Sequence, residues 1–256
     1  MKKIYVGTCG QVMAWKKLLT SYSALEINST FYRFPSERQI KNWSQLFRAR
    51  GDFFLSLKAY QGFTHPRRSP TWKRSGLSKE ELDQIKDYVG CLKWNKYIAS
   101  FWQDTLELIE KLQADFLLFQ LPKFCEKESA NIYKFFQTID LSRLKYVGLE
   151  IRWEDQNLLT DLEERYKIVP VFDPFLEPEL RENFFPKLEF LYLRLHGTKN
   201  PQGRLNYNYR YSQEELNILK DWLKAAQAKT ICVLFNNSYM KEDALRFEEL
   251  LREAKP

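Results

Sequence analysis

FLYLRLHG, residues 190–197, is the stretch on which the reading of the fold turns. A strand with one wet face alternates apolar and polar residues, whereas a strand covered by helices on both sides loses that alternation. Phe190 to Leu195 has lost it, and so have FLLF at 116–119 and ICVLF at 231–235. Working outward, eight apolar runs of this kind recur along the chain: 4–6, 24–27, 53–57, 116–119, 146–149, 168–172, 190–195 and 231–235. Helical periodicity fills the intervals, over 37–49, 79–89, 98–113, 129–138, 155–166, 213–226 and 240–253. Ser36 with Gln39, Ser78 with Glu81 and Ser212 with Glu215 have the spacing of capping boxes, which satisfy orphan N–H groups in a first helical turn.

Eight strands alternating with helices over 256 residues predict an α/β chain folded as one (β/α)8 TIM barrel covering residues 1–256. A doubly wound open sheet is the alternative. Residues 60–97, after the third strand, and 197–211, after the seventh, exceed the usual connection of about 2 to 6 residues. In a barrel such insertions lie on the C-terminal face, where sites are built.

Composition narrows the function. With 44% hydrophobic and 29% charged residues the chain can bury a sizeable core. Only 9 glycines are present, and neither G-x-G-x-x-G nor G-x-x-x-x-G-K-[ST] occurs, which removes dinucleotide-binding and Walker-type readings. Cys9, Cys91, Cys125 and Cys232 form no C-x-x-C pair and are expected to be reduced thiols. Gly7, Gly10 and Gln11 interrupt any signal-peptide core, and no apolar run is long enough for a membrane span. The expectation is a cytoplasmic protein without membrane contact. A net charge of +7 favours anionic partners where it clusters.

The strongest signal is positional. Groups able to do chemistry stand at or just after nearly every strand end: Thr8 and Cys9, Glu26 and Asn28, Lys58, Gln120, Glu150 and Arg152, Asp173, Arg194 and His196, Asn236 and Asn237. A closed barrel gathers such groups around one axis. The ordinary reading of each stays beside it, since Glu26 with Lys58 makes a plausible ion pair and Asn28 or Asn237 a loop cap. The insertions add HPRRSPTWKRS at 65–75, with His65 and four cations around Trp72, and GRLNYNYRYS at 203–212, with Tyr207, Tyr209 and Tyr211 between Arg204 and Arg210. Cations beside rings suit phosphates and bases, and equally suit a solvated loop on a packed rim.

EINSTFYRFPSE at 26–37, LKA and THP within 57–66, FQLP at 119–122, LRLHG at 193–197 and LFNNSYMKEDALRF at 234–247 carry a resemblance to the YecE-like family, domain of unknown function seventy-two. It covers Gly7 to about Phe247. The resemblance implies a TIM barrel and supplies no reaction. The opening GTCGQVMAW at 7–15 departs from the family's GTSGW-x-Y pattern and gives the first loop a shape of its own.

The expected function is acid/base chemistry, of hydrolase, lyase or isomerase type, on a phosphorylated or otherwise anionic small molecule. Glu26, Lys58, Glu150, Asp173 and His196 are the catalytic candidates. Arg152 and Arg194 would hold the anion, with Thr8, Asn28, His65, Gln120, Tyr209, Asn236 and Asn237 lining its place. Lys58 could also form an imine, and Cys9 could act as a nucleophile given a base. Glu150, Asp173, His196 and Asn236 approach the Glu, Asp, His, Glu order of divalent-metal barrels such as sugar isomerases and apurinic endonucleases, but Asn replaces the last carboxylate. Two arginines also stand beside these carboxylates, so neither a metal nor another cofactor is expected. The competing class is a protein that binds or processes nucleic acid through the basic, aromatic loops.

Overall fold

The computed structural model describes residues 2–49 and 51–253. Its main sheet is a closed barrel of eight parallel strands: β1 (Lys3–Cys9), β2 (Ala24–Ile27), β3 (Phe54–Lys58), β4 (Phe116–Leu121), β5 (Tyr146–Ile151), β6 (Val169–Phe172), β7 (Phe190–Leu195) and β10 (Thr230–Phe235). Their order around the barrel is β1, β10, β7, β6, β5, β4, β3, β2. Each of the eight apolar runs is therefore a barrel strand, and the open sheet is excluded. The remaining strands, β8 (Thr198–Lys199) and β9 (Leu205–Asn206), form a small antiparallel hairpin inside the second long insertion.

All three capping boxes are formed, at the starts of helices Glu37–Arg48, Lys79–Ile85 and Gln213–Ala225. Helices Lys96–Leu112, Ser129–Thr138, Gln156–Tyr166 and Met240–Glu253 fall close to the periodic stretches. Short helices at Trp15–Ser21, Ser29–Tyr32, Gln61–Thr64 and Pro178–Phe184 lie where the periodicity is too brief to read. No helix among the described residues is long and apolar enough to cross a membrane.

The chain divides into two compact units. The first comprises Met1–Glu26, Asp52–Phe54 and Pro170–Pro256, and the second Ile27–Gly51 and Leu55–Val169. In the first, β10 pairs with β1 and β7, β2 with β1, and β6 with β7. Gly7 makes the β1–β2 approach: a Cβ there would sit 1.9 Å from the Ala24 carbonyl oxygen. In the second unit, β4 pairs with β3 and β5, which sets Lys58 opposite Leu118 and Gln120 opposite Glu150. Side chains of a strand alternate, so this register places chemically active residues at matched heights.

Candidate functional site

In the second unit the strand ends carry a cationic cluster. Lys58, the last residue of β3, directs its ammonium to Gln120 Oε1 on β4 at 2.5 Å and over the Phe31 ring, 4.4 Å from its centroid. Arg152 stands one residue beyond β5 and meets Glu150 Oε1 at 2.7 Å. The Arg152 side chain keeps 23% exposure whereas that of Glu150 keeps 3%. His65 is buried, packs edge-on against Phe31 at 4.9 Å between centroids, and shares a hydrogen bond between its Nδ1 and Thr64 Oγ1 at 2.8 Å. Burial, then the charges of Lys58 and of Arg152, push its pKa down to about 3. An imidazole in that setting stays neutral at ordinary pH.

The long insertion after β3 is tied down around this cluster. Residues 90–92 fold back on 62–64 through backbone bonds from Gly90 to Gly62, Cys91 to Thr64 and Leu92 to Phe63. Gly90 is left-handed at φ +99°, and a Cβ on it would lie 2.4 Å from Pro66 N. Cys91 is joined to Cys125, with 5.3 Å between their Cα atoms. The expectation of four reduced thiols is thereby corrected: Cys9 and Cys232, both buried, are the cysteines outside the bridge. The two bridged cysteines are 34 residues apart, and only the course of the insertion brings them within disulfide reach.

This bridge anchors the turn Lys123–Cys125, on which Phe124 stands 40% exposed. The Phe124 ring is 6.4 Å from the His65 ring and nearly perpendicular to it, and the Arg68 guanidinium lies 5.1 Å from the Phe124 centroid. Trp72, the ring expected to serve the basic loop, is instead buried, with its indole N–H directed to the carbonyls of His65 and Pro66 at 3.1 and 3.0 Å. Phe31 and Phe124 were missed in the sequence. Phe31 lies within EINSTFYRF, but nothing there marks it as a platform for Lys58. Asn28 begins the helix Ser29–Tyr32 without capping it through its side chain.

In the first unit the strand ends are largely satisfied from within. Glu26 accepts from Arg194 Nη2 at 2.9 Å and from the Tyr192 hydroxyl at 2.8 Å, with side-chain exposures of 0% for Glu26 and 1% for Arg194. Arg194, expected to hold an anion, is thus engaged with Glu26. Asp173 accepts from the backbone N–H groups of His196 at 2.7 Å and Phe175 at 3.0 Å, and its Oδ2 lies 3.5 Å from His196 Nδ1. Thr8 donates to the Gly10 carbonyl at 2.8 Å. Asn236 is half-buried and bonds β7 through its backbone, its N–H donating to the Leu195 carbonyl at 2.8 Å.

Asn237 donates to the Tyr209 carbonyl and to Asp243 Oδ2 at 2.6 and 2.7 Å. The Tyr209 hydroxyl donates to Glu215 at 2.5 Å, and burial followed by that carboxylate pushes its pKa up to about 12. Of the three tyrosines in the second insertion only Tyr207 is exposed, its ring 6.0 Å from that of His196.

Among the described residues no group of three or more His, Cys, Asp or Glu side chains is placed to hold a metal ion. The donors fit one poorly. Asp173 is occupied by backbone amides, and Glu150 faces a guanidinium. Several buried polar atoms do lack a hydrogen-bond partner, among them Arg67 Nε, Gln61 Oε1 and Trp153 Nε1 in the second unit and Asn237 Oδ1 in the first.

An eight-stranded α/β barrel with charged and amide residues at its strand ends defines the class of protein. The family model described as "Protein of unknown function DUF72" matches residues 14–255, and the chain belongs to that family, the one its motifs resemble. A DUF72 family protein from Thermotoga maritima is similar in structure, with TM-score 0.61 and 22% identity over 98% of this chain and 99% of that one. One from Enterococcus faecalis has TM-score 0.62 and 19% identity, covering 98% of both chains. Endonuclease IV from Thermus thermophilus has TM-score 0.56 and 12% identity over 98% of this chain and 100% of that one. At these identities the likeness shows the fold alone. No curated protein matches the chain.

Proposed function

We propose that this chain is an enzyme of hydrolase, lyase or isomerase type acting by acid/base chemistry on a phosphorylated or otherwise anionic small molecule, bound in the second unit at the ends of β3, β4 and β5. The observation that carries the reading is the pair of cations beside a neutral imidazole: Lys58 and Arg152 both act on the buried His65 strongly enough to help hold it uncharged. Cations that remain partly solvated next to a neutral donor are the ingredients of an oxyanion site. Arg152 matches an oxyanion with its planar fork. Lys58 is then the group that moves a proton to or from the substrate. Glu150 faces Arg152, and an imidazole that protonates only near pH 3 is a weak base at neutrality.

The test is calorimetric titration of the whole chain with inorganic phosphate and a panel of sugar phosphates, repeated on Arg152→Ala and Lys58→Ala. The reading expects micromolar to millimolar binding by the unaltered chain, weakened at least tenfold by Arg152→Ala. Turnover of any ligand so identified should be lost in Lys58→Met. Unchanged anion affinity in Arg152→Ala would sink the reading. So would tight, steeply salt-dependent binding of an oligonucleotide with no binding of small phosphates, which points to the nucleic-acid class.

A further inference from the structure

We infer that the bridge between Cys91 and Cys125 is a redox-sensitive latch, which closes the connection after β4 onto the insertion after β3, shuts His65 in, and is opened reversibly by a dithiol. The inference does not rest on the anion reading, because both states are read from the chain alone. Cys91 belongs to the insertion after β3, and Cys125 ends the turn Lys123–Cys125 after β4. His65 stands where the two meet. Its own insertion supplies Thr64 Oγ1 at 2.8 Å, whereas the β4 connection supplies the Phe124 ring, 6.4 Å away and one residue from the bridge. Across the same boundary the Arg68 guanidinium lies 5.1 Å from the Phe124 centroid. Ring contacts made by an exposed side chain are modest, so the covalent bond is what fixes Phe124 against His65.

The backbone at the other end of the bridge is held away from its preferred conformation. Gly90, Cys91 and Leu92 are left-handed in succession, at φ +99°, +48° and +55°. Glycine adopts that region freely, but a residue with a Cβ does so at a cost. Leu92 is fully buried and keeps its place by packing, whereas Cys91 is half-buried and is held by the bridge and by its N–H bond to the Thr64 carbonyl at 3.2 Å. Cutting the bridge lets Cys91 return to ordinary backbone. The Thr64 carbonyl then has a second donor at hand, because Cys125 Sγ lies 3.5 Å from it and carries a proton once reduced. Both states therefore leave the buried groups satisfied, as a two-state device requires. In the exchange a thiolate of the dithiol attacks Sγ of Cys91, the more accessible partner, the S–S bond breaks, and Cys125 leaves as a thiolate that takes up a proton. The second thiol of the reductant then displaces Cys91, so two electrons pass to the bridge and the reductant departs as its own disulfide. With Phe124 unclamped, water reaches the imidazole. Burial is the largest cause of its lowered pKa, and wetting the ring moves that pKa back toward 6.5, with Lys58 and Arg152 still holding it somewhat below.

The experiment follows the two imidazoles by proton NMR in the whole chain, oxidised and after treatment with dithiothreitol, with His65→Asn assigning the resonances and His196 as internal reference. Iodoacetamide trapping counts the thiols formed at Cys91 and Cys125, and far-ultraviolet circular dichroism reports the fold. In the oxidised chain His65 should not titrate between pH 5 and 8. In the reduced chain it should titrate with a midpoint above about 5, and reoxidation should silence it again. Cys91→Ser/Cys125→Ser should match the reduced chain without any dithiol, and should that variant fail to fold, the reduced unaltered chain decides. A His65 that stays silent after reduction overturns the inference, as does a bridge that the dithiol cannot reduce while the chain is folded. Loss of helical dichroism on reduction overturns it as well, since the bridge is then a staple of the whole fold.

Discussion

Arg194→Met separates a structural role of Arg194 from a role in holding a ligand. The guanidinium lies 2.9 Å from a Glu26 carboxylate that has no exposure and that also accepts from the Tyr192 hydroxyl at 2.8 Å. Removing one member of such a pair leaves a charge without water or counter-ion, which typically costs about 3–5 kcal/mol. Methionine replaces much of the arginine stem, so little of that loss is cavity. In the double variant Glu26→Leu/Arg194→Met no charge is stranded, and stability should return to within about 1–2 kcal/mol of the unaltered chain. Urea unfolding followed by far-ultraviolet circular dichroism at pH 7 measures both effects. A loss below about 1 kcal/mol for Arg194→Met at pH 7, or a double variant no better than the single one, would refute the assignment of the pair as a stabilising, closed unit.

Four further outcomes are expected. Since the folded His65 pKa lies near 3, below its ordinary 6.5, the unfolded chain takes the proton first as pH falls; its stabilising contribution is complete above pH 6.5 and is lost toward pH 3 at about 1.4 kcal/mol per pH unit, a slope that His65→Asn should remove in acid unfolding curves. Phosphate binding should raise that pKa by neutralising Lys58 and Arg152, visible in the imidazole proton resonances. Reducing the Cys91–Cys125 bridge, which spans 34 residues, should lower stability by about 3–4 kcal/mol in urea unfolding with and without a dithiol. Ser212→Ala should cost about 1 kcal/mol, since it deletes the bond accepted from Glu215 N in a formed capping box.

The barrel was legible because its strands are buried on both faces and therefore stand out as unbroken apolar runs, while serine three residues before Glu or Gln marked where helices start. The short helices were not, because segments of four to seven residues such as Gln61–Thr64 and Trp15–Ser21 hold too few turns to show a period. The disulfide was hidden for a different reason. Its two cysteines are brought together by the backbone of residues 62–66 and 90–92, a course set by tertiary bonds and by Gly90, with no local pattern to announce it. Phe124 was hidden by its neighbours: FQLP reads as a strand end, and the ring that follows acquires its place only once Cys125 is fixed.

The two arginines show what strand parity adds to such a reading. Both stand near the end of a strand of the same kind, and by composition alone both suit an anion. Arg194 lies within β7, two residues after Tyr192, so the two side chains leave the strand on the same face and meet the same carboxylate, Glu26. Arg152 lies one residue past the end of β5, where its backbone N–H still closes the sheet on Leu121 but its side chain keeps 23% exposure. A guanidinium inside a strand of this barrel is drawn into a buried ionic network, because nothing else there can offset its desolvation. One just past the strand's last residue keeps part of its hydration, which the proposed site would exchange for a ligand's oxygens. The same distinction separates Glu26, inside β2, from Lys58, the terminal residue of β3. Position along the strand, more than residue type, therefore separates the polar residues engaged inside the fold from those that the proposed site would present to a ligand.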